Sequence, residues 1–226
     1  MKTISLLSGG LDSTVNFKRA MDEGGATLAL TFDYGQRAAR REIEAAHAIA
    51  SRFDVAHKVI ALPWLAEITT TALVDLGKDL PTPSDAELDT AGKRTAAAVW
   101  VPNRNGIFIN IAAAHAEAMG CDTVVVGFNS EEGATFPDNT PEFVGASNGA
   151  LAYSTMTKVR VICHTIEMSK AQVVRFGRKI DAPIDLVWPC YEAGPELCWK
   201  CESCRRFRRA LVQTNNLEWY ESKRTK

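Results

Sequence analysis

Met1-Lys-Thr-Ile-Ser-Leu-Leu7, followed by Ser8-Gly9-Gly10-Leu11-Asp12-Ser13-Thr14, decides the fold of this chain. The first seven residues read as a short strand, and a helical pattern runs from Ser13 to about Asp22. A strand that ends in glycines and feeds a helix builds an anion site. The glycines allow close backbone approach, and the free N–H groups and positive dipole end of the helix face the ligand. Ser8, Ser13 and Thr14 add hydroxyls. A phosphate group is the natural occupant; a serine-capped helix after a glycine turn is the structural alternative. No lysine follows the glycines, so this is not the common nucleotide P-loop, and the third glycine of a dinucleotide fingerprint is missing.

Working outward, Gly24-Gly25 ends the first helix and Thr27 to Asp33 reads as a buried second strand. Ala38 to Phe53 is helical, with Ile43, Ala46, Ala50 and Phe53 on one face, and His57 to Leu62 is a third strand. Pro63 to Leu76 is expected to carry a helix, and Gly77 to Thr95, broken by Pro81 and Pro83, a surface excursion. Then come an alanine-rich helix (Asn105–Met119), the clearest strand of the chain (Asp122–Gly127) and a loop (Asn129–Asn139). A helix (Pro141–Met156), a strand (Val159–Thr165) and a helix capped by Ser169 that runs to about Ile180 follow. Pro183 to Leu197 is irregular, and Glu202 to Gln213 is a final basic helix. Strands alternating with helices imply βαβ units and a doubly wound, mostly parallel α/β sheet with ligands at the carboxyl ends of its strands. Both Ser8–Asp12 and Gly127–Asp138 fall at such ends. The expected organisation is an α/β domain over 1–182, with a C-terminal metal-binding segment over 183–226 packed on it.

The chain has 226 residues, 46% of them apolar, and a net charge of −1. That is enough for a sizeable core and gives no global field toward nucleic acid or membrane. No apolar run approaches membrane-spanning length, and the run before Ser8 is too short for a signal peptide, so the expectation is a soluble cytoplasmic protein.

Of six cysteines, Cys121 and Cys163 sit singly in apolar runs, whereas Cys190, Cys198, Cys201 and Cys204 form a C-x7-C-x2-C-x2-C arrangement. In a reducing compartment such crowding points to metal rather than disulfides. Four thiolates close a tetrahedral shell around Zn²⁺ and leave no open position, which points to a structural ion. An iron–sulfur cluster is the rival; in the ferredoxin spacing Arg208 stands where the fourth cysteine would fall. The basic run Arg205 to Arg209 could meet RNA phosphates, form a solvated or subunit-contact face, or pair with acidic loops. Nucleic acid is not expected, because the chain as a whole is not basic.

Ser8 to Thr14 resembles the pyrophosphate loop of the N-type ATP pyrophosphatases. Together with Tyr34-Gly35-Gln36, Val101-Pro-Asn-Arg-Asn105, Phe136-Pro-Asp138, Ser169-Lys170 and Trp188 to Cys204, the chain resembles the 7-cyano-7-deazaguanine synthase family over nearly its whole length. The resemblance implies an ATP-dependent carbon–nitrogen ligase that takes 7-carboxy-7-deazaguanine and ammonia and passes through adenylylated acid and amide. It implies ATP at Ser8, Gly9, Gly10, Leu11, Asp12, Ser13 and Thr14, with adenosine near Phe32, Tyr34 and Gln36. Asp12 would sit on Mg²⁺, Arg104 would clamp a phosphate or carboxylate, and Ser13 and Lys170 would serve the phosphates. Glu132, Phe136 and Asp138 would meet the base, and a homodimer is expected. A tRNA-sulfurating enzyme of the same ATPase fold and a non-enzymatic zinc module are the other readings. Four positions depart from the family pattern: Asn103 and Trp199 stand where glycines are usual, Asn139 where cysteine is common, and Thr140 where arginine is common.

Overall fold

The computed structural model describes residues 2–90 and 92–224; Met1, Ala91 and residues 225–226, which the readings above include, lie outside it. Five strands pair in parallel: β1 (Thr3–Leu6), β2 (Ala26–Asp33), β3 (His57–Ala61), β4 (Thr123–Val125) and β5 (Arg160–Ile162). Their order is β3-β2-β1-β4-β5, so the chain winds outward in both directions from β1. The gap between the carboxyl ends of β1 and β4 is therefore the switch point where such sheets take ligands. This is the doubly wound parallel sheet that the alternation of strands and helices implied.

Strand residues alternate between two covered faces, as the pleat requires. Ile4, Leu28, Leu30 and Val124 pack on the side of Ile109, Ala112 and Ala116 of α5 (Arg104–Ala118). Leu7 and Ala29 pack on the other side with Phe17 of α1 (Leu11–Asp22) and Ile49 of α2 (Ala39–Arg52). A third apolar cluster joins Leu11 and Val15 of α1 to Val173 and Val174 of α8 (Lys170–Lys179) and to Phe207 and Leu211 of α9 (Glu202–Gln213).

Two glycines set the approach of α1 to the sheet. A Cβ on Gly127, just past β4, would lie 2.4 Å from the Ser13 nitrogen and 2.5 Å from its Cα. Gly9 has φ +77°, and a Cβ there would lie 2.7 Å from the Glu42 carbonyl oxygen. Only glycine lets the first turn of α1 reach the β4 exit and the β1 loop lie against α2.

Four stretches depart from the sequence expectation. The helix expected over 63–76 stops early: α3 covers only Pro63–Glu67. The Thr69-Thr70-Thr71 run is β-branched, and the Thr69 hydroxyl turns back to the Leu65 carbonyl. Beyond it, Arg37 donates to the carbonyls of Ala72 and Asp75, holding the chain in an irregular path. The excursion regains helix at α4 (Gly92–Val99), and a short helix, α6 (Ser130–Gly133), forms inside the expected loop because Asn129 caps it. After α7 (Pro141–Ser154) and the segments above, the chain adds α10 (Leu217–Arg224), so α9 is not the last helix. Tyr220 of α10 is wholly buried, edge-on to Phe207 at 5.0 Å. No described helix is long and apolar enough to cross a membrane.

Candidate active site

A cavity of about 220 Å³ opens at the β1/β4 switch point. Ser8, Gly10, Leu11, Asp12 and Ser13 form its floor. Gly10 is the N-cap of α1 and no side chain caps the helix, so the first-turn N–H groups have neither helical nor side-chain acceptors there. The loop braces itself: the Ser8 nitrogen donates to the Ser13 hydroxyl at 3.2 Å, and the two hydroxyls lie 3.0 Å apart. Thr14 and Gly9 stand behind this floor. The Thr14 hydroxyl donates to the Gly10 carbonyl at 2.7 Å, and the Gly9 carbonyl accepts from the Trp188 nitrogen at 2.8 Å.

At the rim lies a buried ion trio. Lys170 Nζ is 2.6 Å from Glu132 Oε1 and 3.2 Å from Asp12 Oδ2. Lys170 is 6% exposed, so it is no solvated surface lysine. Its ammonium is held charged: burial works against it, and the two carboxylates outweigh burial. Glu132 is kept below its usual range, its burial outweighed by Lys170 and by the Asn129 side chain. Asp12 goes the other way. Burial, helped by the nearby Glu132 charge and opposed by Lys170, pushes it up to about 6. One lysine serves two acids, and the nearer Glu132 takes the larger share. Asp12 Oδ1 is buried with no hydrogen-bond partner among the described residues. A lone pair of a carboxylate left unsatisfied at the mouth of a phosphate-shaped floor fits a hard cation.

On the β2 side, Gln36 is consumed by the bend. Its Oε1 accepts from the Tyr34 nitrogen, and its Nε2 donates to the Phe32 carbonyl and to Glu42 Oε2. Phe32 stacks on Phe108 of α5, with centroids 4.0 Å apart and planes within 7°. Arg104 Nη1 donates to the Tyr34 phenol at 3.1 Å, and the Tyr34, Asp138 and Glu42 groups keep its guanidinium charged despite burial. Phe32, Tyr34, Gln36 and Arg104 all line the first cavity, and Glu42, which sequence reasoning passed over, joins them. Its place in the amphipathic pattern of α2 gave no hint of a cavity role; burial now raises its pKa, opposed by Gln36 and Arg104.

A second cavity of about 150 Å³ adjoins the first. Phe136 and Asp138 line it, as does Trp100, whose ring lies parallel to Phe136 within 8° at 6.1 Å. Asp138 accepts from Asn139 Nδ2 at 2.8 Å, and burial raises its pKa against Arg104. Arg104, Glu132, Asn139, Lys170, Tyr191 and Ser203 line both cavities. Tyr191, Ser203 and Trp100 were not singled out by sequence; only the position of Tyr191 and Ser203 inside a family-like stretch, and of Trp100 next to one, could have flagged them.

The four cysteines converge. The sulfurs of Cys190, Cys198, Cys201 and Cys204 lie within 4.8 Å of one another and can hold a metal ion. Backbone N–H groups of Lys200 and Cys201 point at the Cys198 sulfur at 3.4 and 3.3 Å, and that of Glu192 at the Cys190 sulfur at 3.4 Å. Such donors suit thiolates. Most of the basic run is paired within the chain: Arg205 with Asp85, Arg206 with Glu202, and Arg209 with Asp89 and Glu131, while Arg208 is exposed. Three of its four arginines therefore tie acidic side chains to α9, and a single guanidinium faces solvent.

By fold, the chain is similar to a 4-thiouridine synthetase solved with RNA and ATP (TM-score 0.51, 18% identity, 99% of this chain and 53% of that one). It is also similar to the tRNA thiolase NcsA from Methanococcus maripaludis (TM-score 0.50, 12% identity, 100% of this chain and 70% of that one). In sequence it is 54% identical over 212 residues to the 7-cyano-7-deazaguanine synthase of Pelotomaculum thermopropionicum, covering 93% of this chain and 96% of the relative. It is 48% identical over 217 residues to that of Bdellovibrio bacteriovorus, covering 95% and 94%. The family model described as queuosine biosynthesis protein QueC matches residues 2–215, a span that takes in both cavities and all four clustered cysteines. On that match and those identities, the chain belongs to the QueC family.

Proposed function

We propose that this chain converts 7-carboxy-7-deazaguanine and ammonia to 7-cyano-7-deazaguanine with ATP. The observation that carries the reading is the pair of adjoining cavities: a glycine-built phosphate floor in one, and parallel aromatic rings in the other. A nucleotide triphosphate suits the first and a flat heterocycle the second, so an acid on that heterocycle meets the α-phosphate where the two join.

A carboxylate is a poor electrophile because it would have to expel oxide. Its oxygen attacks the α-phosphorus and pyrophosphate leaves; ammonia then adds to the acyl carbon and AMP leaves, giving the amide after loss of a proton. A second ATP adenylylates the amide oxygen, with pyrophosphate and one N–H proton leaving; loss of AMP and the remaining N–H proton gives the nitrile. No protein nucleophile is required. The first-turn N–H groups of α1 and the ammonium of Lys170 hold negative charge as it moves onto pyrophosphate. Ser8 and Ser13 shape the floor that receives it, and Leu11 closes its apolar side. Arg104, fixed by Tyr34, faces the acid or its phosphate. Phe32 and Tyr34 wall the adenosine side, Gln36 keeps their bend rigid, and Glu132, Phe136 and Asp138 address the base.

Asp12, with its unsatisfied oxygen, is the residue that would hold Mg²⁺, which would screen the charge of the phosphates. Cys190, Cys198, Cys201 and Cys204 would hold Zn²⁺ in a closed shell, a structural ion for the segment from 183 onward. The reading includes cytoplasmic residence, which suits reduced thiols, and a homodimer.

The test is mass spectrometry of products after incubation with ATP, Mg²⁺, ammonium and 7-carboxy-7-deazaguanine. The expected product is the nitrile with two AMP released. Turnover of only some other acid moves the protein to a neighbouring ligase class and overturns the assignment.

A further inference from the structure

The cysteine segment does more than fold. Tyr191 directly follows Cys190, and Ser203 lies between Cys201 and Cys204 at the second position of α9. Both side chains line both cavities, and among the described residues neither hydroxyl has a hydrogen-bond partner. The other four residues of that shared wall are engaged. Arg104 donates to Tyr34, Lys170 bridges Glu132 and Asp12, and Asn139 donates to Asp138. Two free hydroxyls on a wall where every other polar group has a partner are there for something that enters.

We infer that Tyr191 and Ser203 are substrate-binding residues that grip the carboxyl group of the acid, and later the amide, at the junction of the two cavities. This rests on the function proposed above. A carboxyl oxygen must lie within bonding reach of the α-phosphorus while the ring lies in the second cavity, so the carboxyl group occupies the shared wall. Its two oxygens accept there. Phenol and alcohol hydroxyls both donate, and the serine hydroxyl can rotate to accept from an amide N–H in the second half of the reaction. A neutral donor suits both stages, because the group to be held changes from an anion to a neutral amide.

Placement by the cysteine segment has a purpose under this reading. A closed metal shell fixes the backbone on either side of both residues, so the hydroxyls arrive pre-positioned and little ordering is left for binding. The floor and the wall are also tied to each other, since the Trp188 nitrogen donates to the Gly9 carbonyl in the phosphate loop.

The experiment compares the metal-loaded wild-type chain with Tyr191→Phe and Ser203→Ala. Affinity for 7-carboxy-7-deazaguanine is measured by calorimetry, KM for the acid and for ATP in steady state, and zinc content and melting temperature alongside. Tyr191→Phe keeps the buried ring and removes only the hydroxyl. The expected result is a loss of acid affinity of about tenfold or more in each variant, the size for a hydrogen bond to a charged acceptor. The KM for ATP, the zinc content and the melting temperature stay at wild-type values. Wild-type acid affinity in both variants overturns this inference alone, and so does an equal loss for ATP and acid, which marks a packing defect. A wild-type chain that binds ATP but no deazaguanine acid overturns the function reading, and this inference with it.

Discussion

Replacing Lys170 by methionine leaves two buried carboxylates without their cation, and the structure sets how much that costs. Methionine fills most of the volume, so the loss is electrostatic. Lys170 is 6% exposed, and its Nζ is 2.6 Å from Glu132 Oε1 and 3.2 Å from Asp12 Oδ2. Without it the native state either keeps two desolvated charges or takes up protons; the second route caps the penalty. Protonating an ordinary Glu takes about 4 kcal/mol at pH 7 but only about 1 kcal/mol at pH 5, and Lys170 holds Glu132 lower still. Asp12, already pushed up to about 6, adds about 1 kcal/mol at pH 7 and nothing at pH 5. The sum is about 5 kcal/mol at pH 7 and about 1 kcal/mol at pH 5, in line with broken buried ion pairs elsewhere. In the variant both folded-state pKa values lie above their unfolded values. The native form therefore binds more protons than the unfolded chain between pH 5 and 7, and stability falls as pH rises through that window. Urea unfolding of wild type and variant at pH 5 and pH 7 measures this. A destabilisation equal at the two values, or one below about 1 kcal/mol at pH 7, would refute the ion-trio account.

Asp12→Asn is expected to abolish AMP release while the fold survives, because it removes the unsatisfied cation-facing oxygen; loss of the far-ultraviolet circular dichroism signal would instead make Asp12 structural. Cys201→Ser should release the metal and lower the melting temperature, as read by elemental analysis and calorimetry on the same sample. Gly127→Ala puts a Cβ 2.4 Å from the Ser13 nitrogen, so the first turn of α1 must shift. ATP binding should fall at least tenfold, and wild-type affinity for ATP would mean the approach is not as close as described. Trp199 has φ +55° and meets Tyr220 edge-on at 6.2 Å. Trp199→Gly should be more stable than Trp199→Ala by about 1 kcal/mol in urea unfolding, since only glycine adopts that backbone without strain.

The sheet was legible because its strands are apolar runs closed by glycine or a capped helix. Thr27 to Asp33 and Asp122 to Gly127 could hardly be anything else in an alternating chain. Tertiary contacts, not local pattern, decided the stretches that departed. The end of α3 at Glu67 depends on Arg37, 30 residues earlier in sequence, capturing the Ala72 and Asp75 carbonyls. α10 depends on a pocket for Tyr220 made by Phe207 and Trp199, which no window of sequence contains. At the site, the phosphate loop and the cysteines carried their chemistry in spacing. Glu42, Trp100, Tyr191 and Ser203 did not: each becomes a wall residue only when α2, the chain just after α4, α9 and the loop before it meet.

The departures from the family pattern follow the same division. Asn103 and Trp199, where glycines are usual, have φ +51° and +55°, the left-handed region that glycine enters freely. Asparagine is the residue that best tolerates that region after glycine, and at Asn103 the change keeps the backbone that starts α5 and aims Arg104. Thr140, where arginine is common, is the N-cap of α7 and accepts from the Phe143 nitrogen at 3.1 Å. Asn139 donates to Asp138 and orients it toward the second cavity. A guanidinium still lines that cavity, because Arg206 reaches it from α9, held by Glu202 at 2.9 Å. Positive charge at the second cavity thus comes from Arg104 and Lys170 and, through Arg206, also from the helix that the four-cysteine knot anchors. Under the function proposed above, recognition of the acid then depends in part on the metal segment, which a loop arginine would not require. Stripping the metal should accordingly weaken acid binding before it weakens ATP binding, with chelator titration and paired calorimetry as the measurement, and simultaneous loss of both ligands would count against that dependence.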